Sequence, residues 1–230
     1  MIACFSGTGN SQLVAQKLAE ALGAEDSQDI LALVFPVHAW GIPVRMEEWL
    51  RPYFEGRTWK YVCLVMTCGS EAGYCERTFP YPFHSAYSVV MPNTYVALPF
   101  FNTDGERLER RKVEAVGQRV QQIADAIRSR SRTIDVKRGI WPWLMTYKIR
   151  PFFSRHLAQA RHIRLREDQC NGCGKCARVC PMANITIQQG KPMHGTDCCL
   201  CLGCYHNCPQ KAVWVGPYGK NKGQKVLARK

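Results

Sequence analysis

The sequence predicts an α/β chain: an open, mostly parallel sheet followed by a small cysteine-rich domain. Three observations carry this. Apolar runs alternate with helical periodicity over the first hundred residues, nine of the thirteen cysteines lie between Cys170 and Cys208, and that stretch contains an internal repeat. A chain of 230 residues is long enough for one large domain or two ordinary ones. Met1–Phe5 reads as a short apolar strand. Asn10–Leu22 reads as a helix with Leu13, Leu18 and Leu22 on one face, stopped by Gly23. Ile30–Val37 and Tyr61–Thr67 are near-continuous apolar runs, as expected of strands buried on both faces, and Ala86–Met91 is a further strand. From Glu106 a long helix is expected to run to about Ser131. Val113, Val116, Val120, Ile123 and Ile127 form its apolar stripe, and a basic face is left to solvent. Strands alternating with helices imply the parallel sheet.

Composition narrows the class. Apolar residues at 46% and charged residues at 21% exclude a disordered or fibrous chain. No apolar run approaches the ~20 residues of a membrane-crossing helix, and the start shows no signal-peptide pattern. A cytoplasmic location is therefore expected, where clustered cysteines point to metal rather than disulfides. The net charge is +13, and residues 105–166 hold sixteen Lys/Arg against five Asp/Glu. Within that stretch, 137–162 mixes Trp141, Trp143, Tyr147, Phe152 and Phe153 with basic residues and carries Pro142 and Pro151, so it reads as an interdomain linker. The expected division is 1–136 for the sheet domain, 137–162 for the linker, 163–216 for the cysteine-rich domain and 217–230 for a mobile basic tail.

Cys170-x2-Cys173-x2-Cys176-x3-Cys180-Pro181 recurs with identical spacing as Cys198-x2-Cys201-x2-Cys204-x3-Cys208-Pro209. Ile185 and Ile187 are matched by Val213 and Val215, so two equivalent half-units are expected face to face. Two-residue gaps wrap three thiolates around one corner of a cluster. Asn171, Gly172, Gly174 and Gly203 let the backbone turn there, and the fourth cysteine of each run reaches across to the other cluster. One cluster would use Cys170, Cys173, Cys176 and Cys208, the other Cys198, Cys201, Cys204 and Cys180. This pattern resembles bacterial-type ferredoxins, small α+β domains with two [4Fe–4S] clusters. Zinc also takes four cysteines, but usually from two CxxC pairs with a long spacer. Cys199 falls off the pattern and reads as a buried spare thiol.

Ser6-Gly7-Thr8-Gly9-Asn10-Ser11 follows the first strand and opens the first helix, where a phosphate would meet free N–H groups at the positive end of the helix dipole. A P-loop would end in Gly-Lys-Ser/Thr, and no lysine occurs before Lys17. A dinucleotide fingerprint would need a third glycine where Gln12 stands. The hydroxyl-rich loop resembles that of flavodoxins, which binds the FMN phosphate. The segments 38–41 (His38, Ala39, Trp40, Gly41) and 67–74 (with Thr67, Cys68, Gly69 and Tyr74) resemble the loops that enclose the flavin ring. The resemblance implies Trp40 and Tyr74 stacking on the ring, Gly41 as the flexible peptide near flavin N5, and Gly69 where backbone approaches the ring edge. Flavodoxins place a second strand and helix ahead of the Trp-loop strand. Only residues 24–29 are available here, so either that edge unit is missing or the sequence omits a segment. The Phe79-Pro80-Tyr81-Pro82 run likewise interrupts the helix expected after Tyr74.

Taken whole, the chain resembles the flavodoxin–ferredoxin fusion proteins of anaerobic bacteria and archaea, the EFR1-family ferredoxins. The resemblance implies an electron-transfer protein that passes single electrons between two [4Fe–4S] clusters and an FMN. The alternative is a flavin-dependent reductase fed by its own clusters, with His38 and Cys68 as candidate proton donors but no marked catalytic constellation. The leading expectation for 105–166 is a solvated basic helix face, with the linker aromatics packing the two domains together. Docking of an acidic redox protein comes next and peripheral lipid contact after it; no nucleic-acid partner is expected.

Overall fold

The computed structural model describes residues 1–23, 29–156, 162–216 and 222–227. Strands β1 (Ile2–Cys4), β2 (Ile30–Pro36), β3 (Tyr61–Cys68), β4 (Ser85–Val90) and β5 (Ile134–Asp135) form one sheet in that order, every neighbouring pair parallel. Every residue of β3 is buried, as its unbroken apolar sequence requires of a strand covered on both faces. Alternate residues feed two cores. Ala32, Val34, Cys63 and Val65 face α1 (Asn10–Leu22) and α3 (Glu106–Arg128). Leu31, Leu33, Phe35 and Leu64 face α2 (Met46–Phe54).

This placement of the helices has a consequence at the sheet's end. β1, β2 and β3 step across the sheet in one direction, yet α1 after β1 lies on one face and α2 after β2 on the other. The chain leaves the carboxyl ends of β1 and β2 toward opposite faces, which opens a crevice between them. Among the described residues no strand pairs the outer edge of β1; residues 24–28 lie outside the described residues. The Pro-rich stretch after Tyr74 makes only a short 3-10 turn, Cys75–Thr78. In place of a helix, Phe79, Tyr81 and Phe83 cover that face, with Tyr81 stacked on Phe54 at 4.1 Å.

The linker is not a plain connection. Residues 142–156 form one helical strap: α4 (Pro142–Leu144), a π turn at Met145–Ile149, and α5 (Arg150–His156). Its aromatics do not all pack the two regions together. Phe153 is half-buried, while Trp141, Trp143, Tyr147 and Phe152 face solvent. No helix among the described residues is long and apolar enough to cross a membrane.

The cysteine-rich region is built on a pseudo-twofold plan. β6 (Ile163–Leu165) pairs antiparallel with β9 (Val213–Val215), and β7 (Ile185–Gln188) with β8 (Lys191–His194). When Cys170 is aligned with Cys198, β6 falls on β8, β7 on β9, and α6 (Lys175–Arg178) on α7 (Gly203–Asn207). The sheet region contributes to this core, where Val96 is fully buried. The tail was expected to be mobile, but its described part is anchored. Lys222 Nζ donates to the carbonyls of Leu98, Pro99 and Phe101, and Lys225 Nζ meets Glu109 at 2.7 Å. Residues 217–221 and 228–230 lie outside the described residues.

Candidate cofactor site

Two thiol-lined cavities occupy the cysteine-rich region. Cys170, Cys173, Cys176 and Cys208 line one; Cys180, Cys198, Cys201 and Cys204 line the other, with Cys199 beside them. Each is lined by three cysteines of one run and the fourth of the other, while among the described residues no group of three or more His, Cys, Asp or Glu side chains is set to hold a metal ion as it stands. The repeat extends to backbone detail. The Asn184 amide donates to Cys180 Sγ at 3.4 Å, and at the matching position of the second copy the Ala212 amide donates to Cys208 Sγ at 3.3 Å. The Leu200 amide donates to Cys198 Sγ at 3.3 Å. Burial, then Cys201 and Cys198, hold the Cys204 thiol well above the ordinary range, and burial pushes Cys198 up to about 11. Sulfurs so enclosed ionise only when a cationic centre compensates their charge, which fits the donor set of an iron–sulfur cluster.

The two halves differ where they meet the sheet region. Gly172 and Gly174 have positive φ in the first run, and Leu200 (φ 52°) and Leu202 (φ 62°) take the equivalent positions in the second. A leucine in this left-handed region costs about 1–2 kcal/mol. The offset is burial: both leucines lie in the core and line a third cavity at the carboxyl ends of the strands. Gly203, expected only to ease a turn, serves close approach. A Cβ there would lie 2.9 Å from the Gly7 carbonyl oxygen. Cys173 is exposed, whereas Cys204 is buried. Cys199, 2% exposed, sits in the core under α2.

The third cavity encloses about 120 Å³. Ser6, Gly7, Thr8, Asn10 and Ser11 form one wall; His38, Ala39, Thr67, Cys68 and Gly69 come from the ends of β2 and β3; Leu200, Cys201 and Leu202 close it. Gly9, at φ 96°, precedes α1 and offers no side-chain cap of its own. Ser6 Oγ accepts from the Gly9 and Gln12 amides, and the Ser11 and Thr67 hydroxyls pair at 2.8 Å. Two buried polar atoms of lining residues, Asn10 Oδ1 and the Tyr95 hydroxyl, find no partner among the described residues. A buried polar atom left in this state marks room for a polar ligand. Lys112 Nζ ties the rim together, donating to Gly69 O and Asp104 Oδ2 at 2.6 Å each.

Four expected residues do not line this cavity: Gly9, which precedes α1, and Trp40, Gly41 and Tyr74, which lie under the strap. Thr146 Oγ1 accepts from the Tyr74 amide at 3.0 Å and donates to Trp40 O at 3.2 Å. Arg150 packs against Gly41 and donates to His38 O at 2.8 Å and Ile42 O at 2.6 Å. Trp40 Nε1 donates to Glu71 Oε1 at 2.9 Å, and the Arg77 and Arg138 guanidiniums lie 4.0 and 4.6 Å from the Tyr74 ring centre. The aromatic walls are instead Tyr95 and Phe153, with ring centres 5.8 Å apart. Strand-end spacing could not point to these two residues. The leucines at the glycine positions of the second run were the available signal. Of the candidate proton donors, burial and then Arg150 bring His38 down to about 4, and burial pushes Cys68 up to about 12.

Residues 163–186 match the family model of the 4Fe-4S binding domain. They span β6, the first cysteine run and the start of β7. A comparison of the chain with curated proteins finds no match. The C-terminal region thus carries a ferredoxin-type 4Fe–4S domain, a unit suited to iron–sulfur electron transfer.

Proposed function

We propose that this chain is an electron-transfer protein of the flavodoxin–ferredoxin fusion type, holding two [4Fe–4S] clusters and one FMN in anaerobic redox metabolism. In this reading 1–136 is the flavin domain, 137–162 the strap, 163–216 the cluster domain and 217–230 the tail. The observation that carries it is the position of Cys201. This residue lines both the second thiol cavity and the cavity of the hydroxyl-rich loop. A ligand of one redox centre would form the wall of the other.

The placement of α1 and α2 on opposite faces supports the flavodoxin-like reading, since that fold binds FMN where the winding switches beside its first strand. The phosphate half of FMN fits the residues present. The Ser6–Ser11 backbone and hydroxyls would hold it at the start of α1, and Asn10 Oδ1 and the Tyr95 hydroxyl would find partners on the ribityl chain or ring. The ring half needs more room. About 120 Å³ is below the roughly 300 Å³ of a typical small-molecule site, so Phe153 would swing aside to admit the ring. FMN, once bound, supplies exchange of one or two electrons against the single electrons of a cluster. The protein's own part is to fix the order of contact. Exposed Cys173 belongs to the outer cluster, where an external partner would exchange electrons. Cys201 belongs to the inner cluster, which would relay them to the flavin. Leu200 and Leu202 keep water from the junction.

Cofactor analysis of anaerobically purified protein tests this. Flavin and iron should be present near 1:8, with the spectra of four-iron clusters. Zinc in place of iron, or absence of flavin, would contradict it.

A further inference from the structure

The strap is amphipathic the wrong way round. Its inner face is held by Thr146, Arg150 and Phe153, at helical spacings of four and three, with polar clamps onto Trp40, Tyr74, His38 and Ile42. Its outer face carries the apolar surface. Of fourteen large hydrophobic residues exposed among the described residues, seven lie within 140–152. Trp141 is 65% exposed, Trp143 55% and Phe152 61%. Trp143 and Tyr147 stand 6.2 Å apart, and Lys148 Nζ lies 5.4 Å from the Trp143 ring centre. An exposed apolar patch of this concentration marks a binding surface rather than ordinary scatter.

Charge identifies the partner. Residues 140–156 contain Lys148, Arg150 and Arg155 and no Asp or Glu; Arg150 is spent on the inner clamps, while Lys148 and Arg155 are exposed with the aromatic rings. A second copy of the chain would bring like charges together. The exposed rings Trp141, Trp143, Tyr147 and Phe152 are spread along one side of the strap, and a bilayer interface accepts aromatic rings in any arrangement. Tryptophan and tyrosine favour the headgroup level, and lysine and arginine there favour anionic lipid.

We propose that the outer face of residues 140–156 docks on an anionic bilayer surface, lying along it with Trp141, Trp143 and Phe152 at headgroup depth. This goes beyond the redox reading and does not depend on it. Co-sedimentation of the holoprotein with vesicles of pure phosphatidylcholine, and with vesicles of phosphatidylcholine and phosphatidylglycerol mixed two to one, tests it. Binding should require the anionic lipid and fall at least tenfold between low and high salt. The double variant Trp141→Ser/Trp143→Ser, and separately Lys148→Glu, should each weaken binding several-fold while the visible spectrum of the clusters stays unchanged. Failure of the wild-type protein to bind anionic vesicles would overturn the proposal. So would undiminished binding by both variants. A dimer in light scattering that dissociates in the double variant, without vesicle binding, would assign the face to self-association, and an acidic protein captured without vesicle binding would assign it to a redox partner.

Discussion

Gly203→Ala probes the tightest approach between the cysteine-rich region and the sheet. The added Cβ would lie 2.9 Å from the Gly7 carbonyl oxygen and 3.3 Å from Gly7 C and Cα. These are backbone atoms of the hydroxyl-rich loop and have no rotamer by which to escape. Overpacking of this kind costs about 1–3 kcal/mol. Opposing it is the intrinsic preference of a helical position for alanine, about 0.5–1 kcal/mol. Because the crowded atoms are backbone, the cost lies in the upper part of that range, about 2–3 kcal/mol, and packing wins by about 1–2.5 kcal/mol. At about 2–4 °C per kcal/mol for a chain of this size, the apparent midpoint of anaerobic thermal unfolding should fall by about 2–10 °C. Gly117→Ala is the control: it lies inside α3 with nothing within 4 Å of the new Cβ, so only propensity acts. That variant should gain about 0.5–1 kcal/mol and unfold later than wild type. If Gly203→Ala also unfolds at or above the wild-type temperature, the two regions do not meet as described and the proposed relay loses its basis.

Other outcomes follow from individual contacts. Cys173→Ala should lower iron from about eight per chain to about four, whereas Cys199→Ala should leave iron unchanged, both measured on anaerobically purified protein. Lys112→Met removes the donor shared by Gly69 O and Asp104. With the Lys112 and Asp104 side chains only 15% and 12% exposed, the loss should cost about 1.5–3 kcal/mol in denaturant unfolding. Because it also frees the rim of the loop cavity, flavin should dissociate about tenfold more readily in equilibrium dialysis. Arg150→Met leaves the His38 and Ile42 carbonyls without their donor and should cost about 1–3 kcal/mol, with faster proteolytic cleavage inside 137–162.

The regular elements were legible because burial and punctuation agree. β2 and β3 lie within a residue of their apolar runs, and α1 ends at the leucine before Gly23, whose amide closes the helix on Ala19 O. The long helix stops at Arg128, one residue past the end of its apolar stripe and short of the expected Ser131, where the Ser129 amide bonds back to Asp125 O. β5 escapes a sequence reading because it has two residues, both exposed, and no apolar pattern. The strap escapes it because Pro142 and Pro151 read as breaks. Pro142 opens its helix, where no N–H is needed, and Pro151 follows the π turn, which accommodates a missing donor. The repeat of the cysteine-rich region was readable from the constant offset between the two runs, and its strands and short helices fall at that same offset. The lining of the loop cavity was readable only in part. Strand-end spacing placed Trp40 and Tyr74 correctly in their loops, but it held no information about Thr146 and Arg150 closing over them.

The most direct test is a crystal structure of the anaerobic holoprotein with anomalous data at the iron edge. Two iron centres are expected, one among Cys170, Cys173, Cys176 and Cys208, the other among Cys180, Cys198, Cys201 and Cys204. The second should lie nearer to a flavin whose phosphate rests on Ser6–Ser11. A flavin closer to the Cys173 centre, or single metal ions in place of clusters, would contradict the account.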